Sequence, residues 1–131
     1  MNCVMKNITA GALCLFAATA LATPPKQLIT HNTTDYESNG FIDGSIPSQY
    51  PTKPRSDGKV AWTAVKLACF GHTVDGKCSA LIKIATNTAK PIEIGTLSLD
   101  LNTGDITPKY LSANGFSITV TGLGETTIST N

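Results

Sequence analysis

Cys78-Ser-Ala-Leu-Ile-Lys-Ile-Ala85 decides the fold. Cys78, Ala80, Ile82 and Ile84 alternate with Ser79, Leu81, Lys83 and Ala85. Alternation with a period of two and β-branched residues is a strand pattern. Upstream, Val65, Leu67 and Cys69 alternate with Lys66 and Ala68, so the spacing predicts a partner strand across Phe70–Lys77. Asp75-Gly76 inside that segment is a turn signal. A tight turn there sets Cys78 opposite Thr73, and a wider loop sets it opposite Cys69. Both registers put the same side chains on the same face, so alternation alone does not choose between them.

The same period continues downstream. Ile92 and Ile94 share one parity, whereas Leu97, Leu99 and Leu101 take the other. The phase changes at Gly95-Thr96, which predicts a bulge. Asn102-Thr103-Gly104 turns the chain into a strand over Ile106–Leu111, and Pro108 implies that this strand lies at an edge or that its nitrogen faces outward. Asn114-Gly115 between alternating runs predicts a two-residue hairpin into Phe116, Ile118 and Val120. Gly122-Leu123-Gly124 turns again into a last strand from Thr126. No stretch shows sustained helical periodicity. The expectation is an all-β domain over residues 59–131, a small β-sandwich or open barrel of ~6–8 strands with one disulfide.

Residues 23–58 read differently. Pro24, Pro25, Pro47, Pro51 and Pro54 lie here and apolar residues are sparse. This is expected to be a polar, largely irregular N-terminal arm packed against the sheet, with short edge strands at Gln27–Thr30 and Gly40–Ile46.

Residues 1–22 carry an export signal. Lys6 precedes an apolar run from Ile8 to Leu21, and Ala20-Leu21-Ala22 is a cleavage pattern of small residues. The run falls short of the ~20 residues that a membrane span needs. The expected compartment is therefore the periplasm or the extracellular space, with no stable membrane insertion after cleavage. Lys6 is the one charged residue before the cleavage point, so nine basic and nine acidic side chains remain of the original 10 and 9. A neutral chain lacks the clustered positive charge that nucleic acid requires. Cys69 and Cys78 remain in an oxidising compartment, where a disulfide is the default. The bond needs Cα atoms within ~7 Å, which favours the wider loop with Cys69 opposite Cys78. Its closure is worth ~2.5–3 kcal/mol on the chain-entropy model.

Cys78–Thr88 and Leu101–Phe116, together with His31-Asn32 and Glu37-Ser38-Asn39, carry a resemblance over most of the chain beyond residue 22. They are similar to uncharacterised small exported proteins of Gram-negative bacteria. The resemblance implies a compartment and no particular chemistry.

Candidate sites are few. Asp35, Glu37, Asn39 and Asp43 stand at the ligand spacing of an EF-hand calcium loop, with Gly40 and Phe41 at its glycine and carbonyl positions. Ile46 stands where the closing Glu should be, so the competing reading is a polar turn with Asn39-Gly40 at its bend. Trp62 has the opposite parity to Val65 and Leu67, which offers it to a sugar ring or a partner unless Tyr36, Phe41 and Tyr50 cover it. His31 and His72 are candidate general bases, with Asp35 four residues from His31, but no Gly-x-Ser-x-Gly elbow accompanies them.

The expected function is that of a non-enzymatic binding module for a protein or glycan, working through its hairpin loops or the Trp62 face. A second reading is an inhibitor of a secreted hydrolase that inserts the 69–78 disulfide loop, with His72 and Asp75 on it. Further readings are a calcium-assisted glycan binder and a small hydrolase based on His31 or His72.

Overall fold

The computed structural model describes residues 23–131, so the predicted signal segment lies outside the described residues. The strands are β1 (Gln27–Asn32), β2 (Ser38–Ile42), β3 (Ile46–Pro47), β4 (Ser56–Ala61), β5 (Thr73–Val74), β6 (Lys77–Ile84), β7 (Ile92–Asp100), β8 (Ile106–Thr107), β9 (Tyr110–Ala113), β10 (Phe116–Gly122) and β11 (Glu125–Thr130). Among the described residues one short helix, α1, spans Trp62–Ala68. Two sheets face each other as a sandwich. One runs β4-β1-β11-β10-β9, and the other runs β3-β2-β6-β7-β8 with β5 added beside β6. Among the described residues every pairing is antiparallel except β1 with β11. The inward rows of Ile84, Ile94, Leu97, Ile106, Ile118 and Ile128 fill the space between the sheets.

The period-two reading holds from β6 onward. β7 slips register where Ile82 pairs with Gly95 but Lys83 pairs with Glu93. Ile94 is the extra residue, and the buried face passes from Ile94 to Leu97, Leu99 and Leu101. Asn114 and Gly115 take φ of 56° and 90° between paired Ala113 and Phe116, as a type I′ hairpin requires. Pro108 lies between β8 and β9, each at the edge of its own sheet. Proline cannot donate to a ladder, and the chain changes sheets there.

Three expectations are corrected. Residues 23–58 are no irregular arm, because β1 lies between β4 and β11, and β2 between β3 and β6. Their alternation is hidden because polar Thr30, Asn32 and Ser38 occupy inward positions alongside Leu28 and Ile42. Asn32 is 2% exposed. Its amide donates to the Tyr36 and Lys53 carbonyls and accepts from the Thr34 backbone and hydroxyl, so hydrogen bonds do the work that apolar burial does elsewhere.

Second, Val65–Cys69 is not a strand. Trp62, Val65 and Cys69 are the buried residues, at spacings of three and four, and Leu67 points to solvent. That is a helical face in a segment rich in alanine, the best helix former. Third, the tight hairpin prevails over the wide loop. Asp75 and Gly76 take φ of 54° and 74°, and Thr73 faces Cys78. The disulfide forms nonetheless, since Cys69 caps α1 and sits with its Cα 6.0 Å from that of Cys78. A bond that needs only proximity does not require its cysteines to be strand partners.

Gly58 on β4 faces the interior beside Thr52. A Cβ added there would strike the Thr52 hydroxyl and lie 3.1 Å from Thr52 Cγ2. Gly58→Ala is therefore expected to cost about 1–2 kcal/mol by overpacking, read as a lower urea midpoint at unchanged slope.

Candidate interaction surface

Beyond the end of α1 the chain makes two tight turns. The Phe70 amide donates to the Leu67 carbonyl and the His72 amide to the Cys69 carbonyl, with Gly71 at φ 81°. β5 and the Asp75-Gly76 turn then return the chain to Cys78. Along this path Leu67, Phe70 and Val74 are 77%, 82% and 75% exposed. Three large apolar side chains exposed from the last turn of α1 to β5 are unusual on a soluble surface. Leu67 also borders a shallow hollow shared with exposed Ile46 and Tyr50, so the apolar surface continues toward β3.

Two restraints hold this tip. The Cys69–Cys78 bond closes its base. His72 Nδ1 lies 2.6 Å from Asp43 Oδ2, which ties the loop to the Asp43-Gly44 turn between β2 and β3. A loop fixed at both ends loses little conformational freedom when it docks.

The calcium candidates are drawn apart. Asp35 pairs with Arg55, Glu37 accepts from the Thr86 hydroxyl, Asn39 exchanges hydrogen bonds with Ser48, and Asp43 holds His72. Asn39 and Gly40 lie within strand β2, and the bend comes instead at Asp43-Gly44. An extended strand keeps residues two apart on one face but sets them ~6.6 Å from each other along it, whereas a calcium loop coils them round one point. Among the described residues no three His, Cys, Asp or Glu side chains gather as a metal site.

Trp62 is 3% exposed rather than offered to a ligand. Its indole donates to the Leu101 carbonyl at 3.0 Å, and its ring lies over Gly124. Tyr36 instead meets Phe116 edge-on, and Phe41 sits beneath the Lys83 ammonium.

His31 is placed where no local pattern could show it. Its Nδ1 is 2.8 Å from Asp57 on β4 and its Nε2 is 2.6 Å from Glu125 on β11. One imidazole thus bridges three adjacent strands on the outer face of their sheet. Both nitrogens are taken, which leaves neither to accept a proton from a hydroxyl. The hydrogen bond to Glu125 and then that to Asp57 raise the His31 pKa above its ordinary value, against partial desolvation. A raised folded pKa contributes stability that is complete below the unfolded value of 6.5 and is lost as pH rises through the folded one. Melting temperature is therefore expected to fall as pH rises from about 6 to 8, and His31→Gln should flatten that slope.

Comparison with known proteins places this geometry. A family profile described as NttC, a T2SS substrate, matches residues 1–131. The crystal structure of the Legionella pneumophila type II secretion system substrate NttC is similar at 60% sequence identity. The match has a TM-score of 0.81 over 82% of this chain and 99% of that one. No curated protein matches the chain.

Proposed function

The chain belongs to the NttC family of type II secretion system substrates, and from that premise we propose that it is a secreted, non-catalytic module that grips a protein partner with the Leu67–Phe70–Val74 tip. The observation that supports this is the exposure of three large apolar side chains, Leu67 on the last turn of α1 and Phe70 and Val74 within the loop that the disulfide closes. Burying each in a partner is worth roughly 1.5–3 kcal/mol, and the restraints at the base keep the ordering cost low. A protein suits this surface better than a glycan, because the one tryptophan is buried and unavailable for sugar stacking.

The triple variant Leu67→Ser/Phe70→Ser/Val74→Ser tests the reading. All three side chains face water, so melting temperature is expected to hold, within the ~0.5 kcal/mol typical of surface changes. A partner retained by the immobilised wild type from envelope or host extracts is expected to bind the variant at least ~10-fold more weakly. Equal retention by both proteins would discard the tip as the binding element.

A narrower reading, inhibition of a secreted hydrolase by insertion of this loop, draws on the His72–Asp43 clamp, which steadies the tip much as a protease inhibitor steadies its binding loop. His72→Ala is then expected to weaken inhibition without lowering the melting temperature.

A further inference from the structure

The sandwich interior is not filled at its β1–β4 and β2–β6 end. A cavity of about 130 Å³ remains between the sheets, and its lining reaches solvent at Tyr50. The cause is composition. Gly40 on β2 and Ala80 on β6 both border it, small residues where neighbouring rows carry isoleucine or leucine, whereas Thr52 already fills the space at Gly58. A Cβ on Gly40 would make only ordinary contacts, at 3.5 Å to Ile82, so packing does not forbid a larger residue there.

The lining has two chemistries. Leu28, Val60, Ile82 and Leu97 make most of it apolar. One level carries hydroxyls instead: Thr30 pairs with Thr126 on one side and with Gly58 on the other, and Ser38 bridges Thr52 across the cavity's edge. Ser38, Thr52 and Thr126 are 2%, 7% and 5% exposed. Their backbones are paired, but their hydroxyls make no hydrogen bond among the described residues. Buried hydroxyls in an apolar chamber call for a partner. Among the described residues no charged side chain borders the cavity.

We infer that this cavity binds a small neutral amphiphile, with an apolar body inside and one hydroxyl or carbonyl group on the Ser38–Thr52–Thr126 hydroxyls. The volume is close to the ~150 Å³ apolar cavity known to admit benzene, which limits the body to a single ring or a short alkyl chain. An apolar chamber with a few convergent polar groups is the usual form of a small-molecule site. Water alone satisfies the hydroxyls but leaves the apolar walls unmatched, whereas an amphiphile satisfies both. A carboxylate or ammonium head finds no counter-charge there and is disfavoured.

Hexan-1-ol, hexane and hexanoate are the probes, titrated into the protein and followed by backbone amide shifts and melting temperature. Hexan-1-ol is expected to give saturable shifts at Ser38, Ala80 and Thr126 and to raise the melting temperature. Hexane and hexanoate should each bind ~10-fold or more weakly. Ala80→Leu fills the chamber and should abolish the hexan-1-ol response while the protein stays folded. Thr126→Val, which removes one hydroxyl at nearly equal volume, should weaken hexan-1-ol without weakening hexane. The inference is overturned if hexan-1-ol gives no saturable shift, if hexane binds as tightly, or if folded Ala80→Leu binds hexan-1-ol unchanged. The docking tip is separate, so the triple serine variant should bind hexan-1-ol like the wild type.

Discussion

Replacing Trp62 with alanine is expected to cost about 3–5 kcal/mol, the range for deleting a large aromatic from a packed interior. Trp62 begins α1 at the point where the chain leaves β4. Its amide donates to the Lys26 carbonyl and its indole to the Leu101 carbonyl, so one residue joins the start of the described chain, the helix and the end of β7. Its ring also covers Gly124, where an added Cβ would lie 3.3 Å from Trp62 Cζ3. Alanine removes the ring volume and leaves the Leu101 carbonyl without its donor. Trp62→Phe keeps most of the ring and loses only the N–H, so its cost should be nearer ~1–2 kcal/mol. As the only tryptophan, Trp62 also reports on its own burial. Wild-type emission should be blue-shifted and resist iodide quenching, and it should become quenchable in step with global unfolding in urea. An emission maximum typical of exposed indole would contradict the placement.

Loss of the Cys69–Cys78 bond is the second large effect. Its sequence separation is 9, and closing so short a loop stabilises by about 2.7 kcal/mol on the chain-entropy model. Domains of this size commonly have only ~5–15 kcal/mol in total. Both cysteines are buried, at 3% and 1% exposure, so Cys69→Ala/Cys78→Ala should match the reduced protein more closely than a serine pair does. The urea midpoint is expected to drop in either the variant or the reduced wild type, and adding reductant to the variant should change nothing further. Partner binding is expected to fall with it, because the tip then loses the restraint at its base and must be ordered on docking.

Much of the sandwich was legible because β6, β7 and β10 bury one face and wet the other, which writes a period of two into the chain. The Asn114-Gly115 and Leu123-Gly124 turns were legible because few residue types take left-handed backbone. β1 reads as an edge strand within an irregular arm because Thr30 and Asn32 face inward, and polar residues there break the alternation. Its true neighbour, β11, lies at the other end of the chain, and no local pattern encodes a parallel pairing over that distance. The helix was hidden by Leu67, whose parity with Val65 and Cys69 imitates a strand although it points to water. That same exposed residue belongs to the proposed docking tip. The His31 bridge joins residues 26 and 94 positions apart. The separation leaves no spacing to read, whereas Asp35, close in sequence, turns away to Arg55.

Site-specific photo-crosslinking tests the docking tip most directly. A photoreactive residue at position 70 is compared with one at position 121, on an exposed part of β10. The tip proposal predicts a discrete protein adduct from position 70 alone, suppressed by excess wild-type protein but not by the triple serine variant. Equal adducts from both positions, or none from position 70 in natively folded, oxidised protein, would contradict it.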